Sequence, residues 1–313
     1  MSVLVFVEHT DGVLDDISAQ ALTFARGLGG EIAALAVGSE PPVGEYGATS
    51  LYVAELGDAY APAAWAAAIV ELVGTLSPRA VVAAGSERGN EVVAHVASLL
   101  DLPFAANCVE AAAGDPLVVT RTRWGGSLLE EARVHGDVAL LTVQPHAVAA
   151  STTSPAEPAV ARFVPALTEA DQVVKVVDRV AAASGGVSLA EAKVVVSGGR
   201  GVGSTEGFAI VEELAGLLGG AVGCSRAVTM AGWRPHTDQV GQTGTKIAPD
   251  IYIACGISGA TQHMAGCKGA KKLLAINADG EAPIFASADY AVIGDLHEIL
   301  PAVSAEIRRV RGA

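Results

Sequence analysis

KVVVSGGRGVGSTEG (193–207) joins an apolar run to a glycine-rich loop, and the chain then enters a helical pattern. Further apolar runs flanked by polar loops follow, and each is short enough for a buried strand. The later elements are predicted as a helix over 207–219, buried strands over 250–256 and 271–279, and a final helix over 295–312 that is bent or broken at Pro301. We therefore predict an α/β C-terminal domain with a doubly wound parallel sheet.

The first half of the chain shows the same alternation of β-rich runs and helical patterns. Its predicted strands are VLVFVEH (3–9), EIAALAVG (31–38), SLYVAEL (50–56) and RAVVAAGS (79–86), and its predicted helices cover 15–29, 61–76 and 90–101. Strands that alternate with helices imply parallel pairing. Residues 116–145 instead alternate apolar and polar positions, which predicts antiparallel or mixed strands. We predict a mostly parallel α/β sheet domain at the N-terminus.

The middle of the chain holds the predicted domain boundary. STTSPAEPAVARFVP (151–165) is typical of an exposed connection, and DQVVKVVDRV (171–180) is predicted as a last strand that returns to the first domain. The small-residue segment at 181–192 is flexible in character, and its SGG at 184–186 would serve as a pivot for a mobile second domain. The predicted domains therefore span 1–184 and 190–313.

Composition limits the classes of function. The chain has 313 residues, is 51% hydrophobic and carries a formal charge of −14, which disfavours nucleic acid and serves solubility or the docking of a basic partner. The stretch that comes closest to a membrane span, 59–74, is interrupted by Pro62 and Glu71, so we expect no membrane insertion. No basic segment precedes the first strand, so we expect no signal peptide. The four cysteines lack metal-ligand spacing and suggest buried thiols in a reducing cytoplasm.

Four polar loops lie among the apolar runs of the C-terminal half. They are SGGRGVGS (197–204), GCSRA (223–227), QVGQTG (239–244) and ISGATQH (257–263). Backbone N–H groups, hydroxyls and the cations Arg200 and Arg226 together suit an anionic ligand. Parallel α/β sheets bind ligands at the ends of their strands, and a helix N-terminus after the glycine-rich loop would add positive charge. These loops indicate a cradle for a large phosphorylated cofactor.

Each of these signals also has a purely structural interpretation. The glycine spacing of the first loop is not the strict dinucleotide fingerprint and also fits a tight strand–helix turn. A GQTG segment is a turn in most proteins, and His263 alone is more often a satisfied structural histidine. Asn277 and Asp295 would bond ribose or adenine, but both residue types are turn formers first.

The ordered segments SGGRG, GCSR, DQVGQTG, APDIYIACGISGATQH, AIN, EAPIF, ADY and GDL closely resemble the FAD domain of electron-transfer flavoprotein alpha subunits. The resemblance is dense over about residues 190–300 and weaker in the first half. It implies FAD as cofactor and a heterodimer, contacted through the N-terminal domain, with a beta subunit that carries AMP or a second FAD. It also implies an electron carrier, without a substrate of its own, between flavoprotein dehydrogenases, including those of fatty acid β-oxidation, and a quinone reductase or other acceptor.

The same resemblance implies which residues line the FAD. They are Arg200, Ser225, Arg226, Val240, Gly241, Gln242, Thr243, Ser258, Gly259, Ala260, Thr261, Gln262, His263, Asn277, Asp295 and Leu296. It places Arg226 beside the isoalloxazine ring, Thr243 near flavin N5 and His263 near the O2 edge. Reduction puts negative charge on the N1–C2=O2 side of the ring, so a cation or N–H donor there would raise the flavin potential.

The sequence departs from the family pattern in ways that leave its specialisation open. Thr245 separates GQTG from Lys246, and His297 replaces the usual apolar residue after GDL. A bifurcating member and an ordinary carrier both remain possible. So do two other functions: a self-contained FAD-dependent oxidoreductase and a nucleotide-sensing module. The oxidoreductase would need an acid–base pair, for which His236 and Asp238 are the local candidates, although we favour loop-positioning roles for them.

Overall fold

The computed structural model describes residues 2–56, 60–124, 128–154, 156–176 and 188–312. The chain divides into two compact units, Met1–Ala181 and Ala182–Ala313. The proposed pivot at 184–186 lies outside the described residues, as does the end of the strand predicted over 171–180.

The N-terminal unit is built on a mostly parallel sheet. Its described strands are β1 (Ser2–Phe6), β2 (His9–Thr10), β3 (Val13–Leu14), β4 (Glu31–Val37), β5 (Ala48–Ala54), β6 (Ala80–Ala84), β7 (Phe104–Ala112), β8 (Leu117–Arg123), β9 (Leu128–Val134), β10 (Ala139–Val143) and β11 (Ala159–Phe163). β2 and β3 form a small hairpin, and the others form one sheet in the order β11-β5-β4-β1-β6-β10-β7-β8-β9. β8 pairs antiparallel with β7 and β9, and the remaining pairs are parallel. The predicted parallel sheet and its mixed extension over 116–145 are confirmed.

Helices cover both faces of this sheet. They are α1 (Asp16–Arg26), α2 (Pro62–Leu76) and α3 (Glu87–Leu100). Successive side chains of a strand point to opposite faces, and β1 is buried on both. Val3 and Val5 pack in the cluster that contains α1 residues, whereas Leu4 and Phe6 pack with residues of α2 and α3. The predicted order of strands and helices is correct over residues 3–101, whereas β7 was not predicted.

Two predictions for the middle of the chain are wrong. The connection expected over 151–165 contains β11, which pairs in parallel with β5 at the sheet edge. Its residues are almost all exposed, so the strand carries no hydrophobic period and only its backbone pairing reveals it. Residues 171–176 form no strand: a 3₁₀ turn spans Ala170–Gln172, and Val173 and Val174 are exposed rather than buried in a sheet.

The C-terminal unit contains a second sheet that is parallel throughout its described strands. These are β12 (Val194–Gly198), β13 (Ala221–Cys224), β14 (Ile251–Cys255), β15 (Leu273–Asn277) and β16 (Tyr290–Ile293), in the order β13-β12-β14-β15-β16. The chain moves from β12 to one side and then returns to build the other side, so the strand order reverses between β12 and β14. The predicted doubly wound parallel sheet is confirmed.

Helices also pack on both faces of the second sheet. They are α4 (Ala209–Leu218), α5 (Arg226–Met230), α6 (Thr261–Cys267) and α7 (Leu296–Arg311). The cluster on one face holds residues of α4 and α7, and the cluster on the other holds Cys267 of α6. Among the helices of the described residues, none combines the length and apolar character that a bilayer span requires.

Two details of the C-terminal unit differ from the sequence-based expectation. α7 is continuous through Pro301, so the break predicted as one alternative does not occur. Leu296 and Leu300, which precede the proline, are buried in the cluster that contains α4 residues. The glycine-rich loop does not feed α4 directly. Two 3₁₀ turns, Arg200–Val202 and Glu206–Phe208, separate the end of β12 from the first residue of α4, so the N-terminus of α4 is displaced along the chain from the loop.

Candidate functional site

A cleft of about 510 Å³ opens at the carboxyl ends of β12 to β15. Gly198 lies opposite Cys224 of β13 and Cys255 of β14, so the three strands end at the same level. The loops that follow them line the cleft together, at the point where the strand order reverses. Doubly wound sheets bind ligands at this point. The first turn of α4 does not contribute to the lining, so the expected helix N-terminus is absent from the site.

The floor of the cleft is a close contact between two backbone segments. Gly201 N donates a hydrogen bond to Gly256 O at 3.1 Å, and Gly199 N donates to Cys255 O at 2.8 Å. Gly256 has a φ of +63°, and a Cβ there would lie 2.7 Å from the Cα of Gly201 and 2.9 Å from Leu296 Cδ2. Only glycine at position 256 allows this contact, which keeps the floor narrow and made of backbone.

The GQTG segment is fixed against α6. Gln242 N donates to Gln262 O at 2.7 Å. A Cβ on Gly266 would lie 2.3 Å from Gly241 N, so the loop and the helix touch through two glycines. The segment is therefore a built wall of the cleft as well as a turn.

Two arginines of the cleft are available to a ligand. Arg200 and Arg226 line it, and neither forms an ion pair within the residues that the structure describes. Arg234 nearby is different: it pairs with Glu212 and with Asp238, whose Oδ2 lies 2.8 Å from Arg234 Nη2. A guanidinium without a carboxylate partner retains its donors for phosphate or another anion.

His263 is buried and uncharged. Only 7% of its surface is exposed, and its Nε2 shares a hydrogen bond of 2.7 Å with Tyr252 Oη. Burial lowers the pKa of His263 to about 4, although the backbone of Val240 offsets part of this effect. Nδ1 is buried and has no partner of hydrogen-bonding geometry within the described residues. A purely structural role for His263 thus explains the hydrogen bond of Nε2 but not the burial of Nδ1.

Most of the residues singled out from the sequence meet in this cleft. Those that line it are Arg200, Ser225, Arg226, Val240, Gly241, Gln242, Thr243, Ser258, Ala260, Gln262, His263 and Asn277. Asn277 also ties two loops together, since its Nδ2 donates to Ile257 O at 3.0 Å and its Oδ1 accepts from Asp279 N at 3.0 Å. Both ends of this amide are engaged within the protein.

Four of the residues singled out lie outside the lining of the cleft. Gly259 has a φ of +84°, and a Cβ there would lie 2.5 Å from the backbone of Ile284. Thr261 is the first residue of α6. Asp295 caps α7 by accepting a hydrogen bond from the N–H two residues later, at 2.9 Å. Leu296 is buried beneath the glycine floor.

Sequence reasoning missed part of the lining. The additional residues are Gly201, Ala227, Met230, Gln239, Gly256, Ile257, Asp279 and Ala282. Gly201, Ala227, Gln239 and Ile257 lie inside the four loops named above, and Gly256 and Ala282 lie inside segments that carry the family resemblance, so only their individual assignment to the lining was missed. Met230 and Asp279 carry no such signal. Asp279 places a carboxylate in a cleft that is otherwise rich in donors.

The candidate acid–base pair does not assemble. Asp238 is engaged by Arg234, whose Nε donates to its Oδ2 at 2.9 Å. His236 instead lines a side recess of about 340 Å³ together with Arg226 and Met230. Asp238 thus fits the loop-positioning role, and the geometry gives no support to a substrate-transforming dyad.

Comparison with known proteins agrees with this architecture. Residues 3–172 match the electron transfer flavoprotein domain family, and residues 188–268 match the electron transfer flavoprotein FAD-binding domain family. The second match identifies FAD as the cofactor of the C-terminal unit.

Full-length relatives are named electron transfer flavoprotein subunit alpha. The proteins of Mycobacterium leprae and Mycobacterium tuberculosis are each 40% identical over 319 residues, covering 99% of both chains. The protein of Syntrophomonas wolfei is 38% identical over 315 residues, covering 97% of this chain and 98% of the relative. The resemblance inferred from the sequence is thus confirmed, and the chain belongs to the family of electron transfer flavoprotein alpha subunits.

Proposed function

We propose that this chain is the FAD-carrying subunit of a heterodimer with an electron transfer flavoprotein beta subunit. In this function it takes electrons from flavoprotein dehydrogenases and delivers them to an acceptor such as a quinone reductase. Bound FAD supplies the redox chemistry. The observation that carries the proposal is the cleft at the strand-order reversal, whose Arg200 and Arg226 have no ion pair within the described residues.

The cleft fits FAD by its size and its donors. A volume of about 510 Å³ is within the usual range of cofactor sites. Arg200, in the glycine-rich loop, would hold the pyrophosphate, and Arg226 and Thr243 would face the flavin ring. His263 would meet the O2 edge of the ring as a neutral donor, because burial keeps its pKa near 4. The fixed positive charge at the ring would therefore come from Arg226.

The arrangement favours a carrier over an enzyme with its own small substrate. Substrate oxidation requires a proton acceptor beside the flavin. Asp238 is occupied by Arg234, and the carboxylate of Asp279 in the cleft lining accepts a hydrogen bond from Glu281 N at 3.0 Å. We place the heterodimer in the cytoplasm, where the four buried, unpaired cysteines of the chain would stay reduced.

Co-expression with the beta subunit tests the proposal. We expect a yellow heterodimer with one FAD in this chain, and AMP or a second FAD in the beta subunit. A flavoprotein dehydrogenase should bleach the flavin absorbance, and a quinone reductase should restore it. A heterodimer that stays colourless when FAD is added would refute the proposal, and turnover of a small organic substrate by this chain alone would favour the oxidoreductase.

A further inference from the structure

Gln239 is a buried amide at the start of the QVGQTG loop, with 2% of its surface exposed. Its Nε2 donates a hydrogen bond to Thr243 Oγ1 at 3.0 Å. Thr229 Oγ1 has two acceptors within reach, Gln239 Oε1 at 2.7 Å and Arg226 O at 3.0 Å, and its single proton is assigned to the nearer Oε1. The backbone carbonyl of Gln239 also accepts from Thr245 N at 2.7 Å, so the backbone is held in place. The side chain therefore links α5, which carries Thr229, to the cleft wall at Thr243.

The direction of these hydrogen bonds decides what Thr243 offers to the cleft. A hydroxyl has one proton and two acceptor lone pairs. Because the Gln239 amide donates to it, Thr243 Oγ1 keeps its own proton for a different acceptor, and Thr243 lines the cleft. We propose that Gln239 is a positioning residue that makes the Thr243 hydroxyl a donor toward the flavin ring, an inference that rests on the proposed function.

A donor fixed in this direction raises the flavin potential. The ring gains electron density on reduction, so a hydrogen-bond donor binds the reduced ring more tightly than the oxidised ring. The reverse orientation of the Gln239 amide would draw the Thr243 proton toward Oε1 and present lone pairs to the ring. The amide orientation therefore sets the sign of the effect.

Gln239 must act through Thr243. Gln239 belongs to the cleft lining, but only 2% of its surface is exposed and both ends of its amide are already engaged by threonines. Removing the amide should therefore change the flavin potential only while the Thr243 hydroxyl is present. A role limited to packing would change stability instead, with or without that hydroxyl.

The test is a double-mutant cycle on the FAD-loaded heterodimer, with Gln239→Met, Thr243→Val and their combination. In a redox titration, Gln239→Met should lower the midpoint potential for the first electron by about 40 mV. This corresponds to a roughly fivefold smaller equilibrium constant for reduction, at 59 mV per tenfold. The same substitution should cause no further shift in the Thr243→Val background. If Gln239→Met does not fold, Gln239→Glu replaces it. Gln239→Glu should lower the flavin potential further, and this decrease should be smaller in the Thr243→Val background.

Gln20→Met is the matched control, because Gln20 is a buried amide with two partners in the other unit. It is 4% exposed, donates to Asp16 Oδ2 at 2.6 Å and accepts from His146 N at 2.8 Å. This variant should lose stability and keep the wild-type potential. Equal shifts with and without the Thr243 hydroxyl, or no shift at all, would overturn the inference. A wild-type heterodimer without FAD would refute the proposed function instead.

Discussion

The two units present recesses at equivalent places, the carboxyl edges of their sheets, yet the recesses differ in chemistry. The N-terminal recess, of about 350 Å³, lies after β1 and β4 and is lined by Glu8, His9 and Arg88. Glu8 and His9 are engaged within the unit, whereas Trp65 Nε1 has no hydrogen-bond partner and Arg88 has no ion pair within the described residues. Ser86 Oγ donates to Glu8 and accepts from Gly89 N, and His9 Nε2 lies 2.8 Å from Val37 O.

The C-terminal cleft leaves donors unused at the corresponding place. Arg200 and Arg226 have no ion pair in the part of the chain that the structure describes. His263 Nδ1 has no partner of full hydrogen-bonding geometry there, although the Val240 backbone is close enough to raise the pKa of the ring. Strand topology thus supplies two recesses. The larger C-terminal cleft carries two arginines without an ion pair, whereas the single arginine of the N-terminal recess, Arg88, lies near the buried carboxyl of Glu8. Matched substitutions in the two recesses test this distinction.

The largest effect is expected from Gly256→Ala. A positive φ of +63° costs about 1–2 kcal/mol in alanine, and the new Cβ would lie 2.7 Å from Gly201 Cα. Relieving that overlap requires the floor to move, so we expect a total loss of about 3 kcal/mol or more and loss of FAD. Urea unfolding and the flavin content of the purified heterodimer measure both effects.

Gly38→Ala is the matched change in the N-terminal recess. Gly38 has a φ of +81°, but the nearest atom to its added Cβ is Leu56 O at 4.0 Å. Only the backbone cost of about 1–2 kcal/mol should appear, and FAD should stay bound. Loss of FAD from both variants would show that the floor contact is not specific to the cleft.

The second effect is the opposite response of the two recesses to pH. Unfolded histidine titrates near pH 6.5, whereas burial lowers the pKa of His263 to about 4. The unfolded chain therefore binds more protons between these values. The stability of the C-terminal unit should fall by up to about 3 kcal/mol as the pH drops from 6.5 to 4.

Glu8 should act in the other direction. Burial raises its pKa above the model-peptide value of 4.5, despite the hydrogen bond from Ser86, so its contribution to stability is lost as the pH rises through the raised pKa. Hydrogen exchange, which reports on each unit separately, measures both trends. His263→Asn should flatten the acid response of the C-terminal unit, and Glu8→Gln should flatten the response of the N-terminal unit. An unaltered profile for His263→Asn would argue against a neutral buried imidazole.

The third effect compares two arginines, Arg226 and Arg88. Arg226→Ala removes the fixed cation beside the proposed flavin ring. We expect the midpoint potential to fall by about 60 mV for a one-electron step, equivalent to about a tenfold weaker preference for the reduced ring. Arg88 lies over the Tyr60 ring in the N-terminal recess, 5.5 Å from its centroid, and Arg88→Ala should leave the potential unchanged. If the Arg226→Ala protein kept the wild-type potential, Arg226 would not lie beside the flavin ring.

Sequence reasoning succeeded where the signal is local. The glycine-rich loop, GCSR and SGATQH each follow a strand, and parallel strands bring their carboxyl ends together without further information. That rule placed Arg200, Ser225 and the 257–263 loop at one sheet edge, whereas Thr243 and the individual roles came from the family resemblance. The order of helices and strands over residues 3–101 followed equally from the hydrophobic period.

Sequence reasoning did not predict the features that depend on residues distant in the chain. β11 is recognisable only by its pairing with β5, because its side chains are exposed. The neutral state of His263 results from burial that the sequence does not express, and the engagement of Asp238 depends on Arg234 reaching it. The sequence also predicts that the glycine-rich loop leads directly into α4, but two 3₁₀ turns separate them.

The smallest effect concerns two helix caps at the two sheet edges. Ser86 caps α3 and Asp295 caps α7, each by accepting a backbone hydrogen bond. Ser86→Ala should cost about 1 kcal/mol and leave FAD affinity unchanged. Asp295→Ser preserves a capping oxygen, so its stability should change by less than about 0.5 kcal/mol. The family resemblance implies that Asp295 contacts the part of FAD that extends beyond the cleft. We therefore expect Asp295→Ser to weaken FAD binding a few-fold, as measured by flavin fluorescence. Unchanged affinity would restrict Asp295 to the cap that its hydrogen bond already explains.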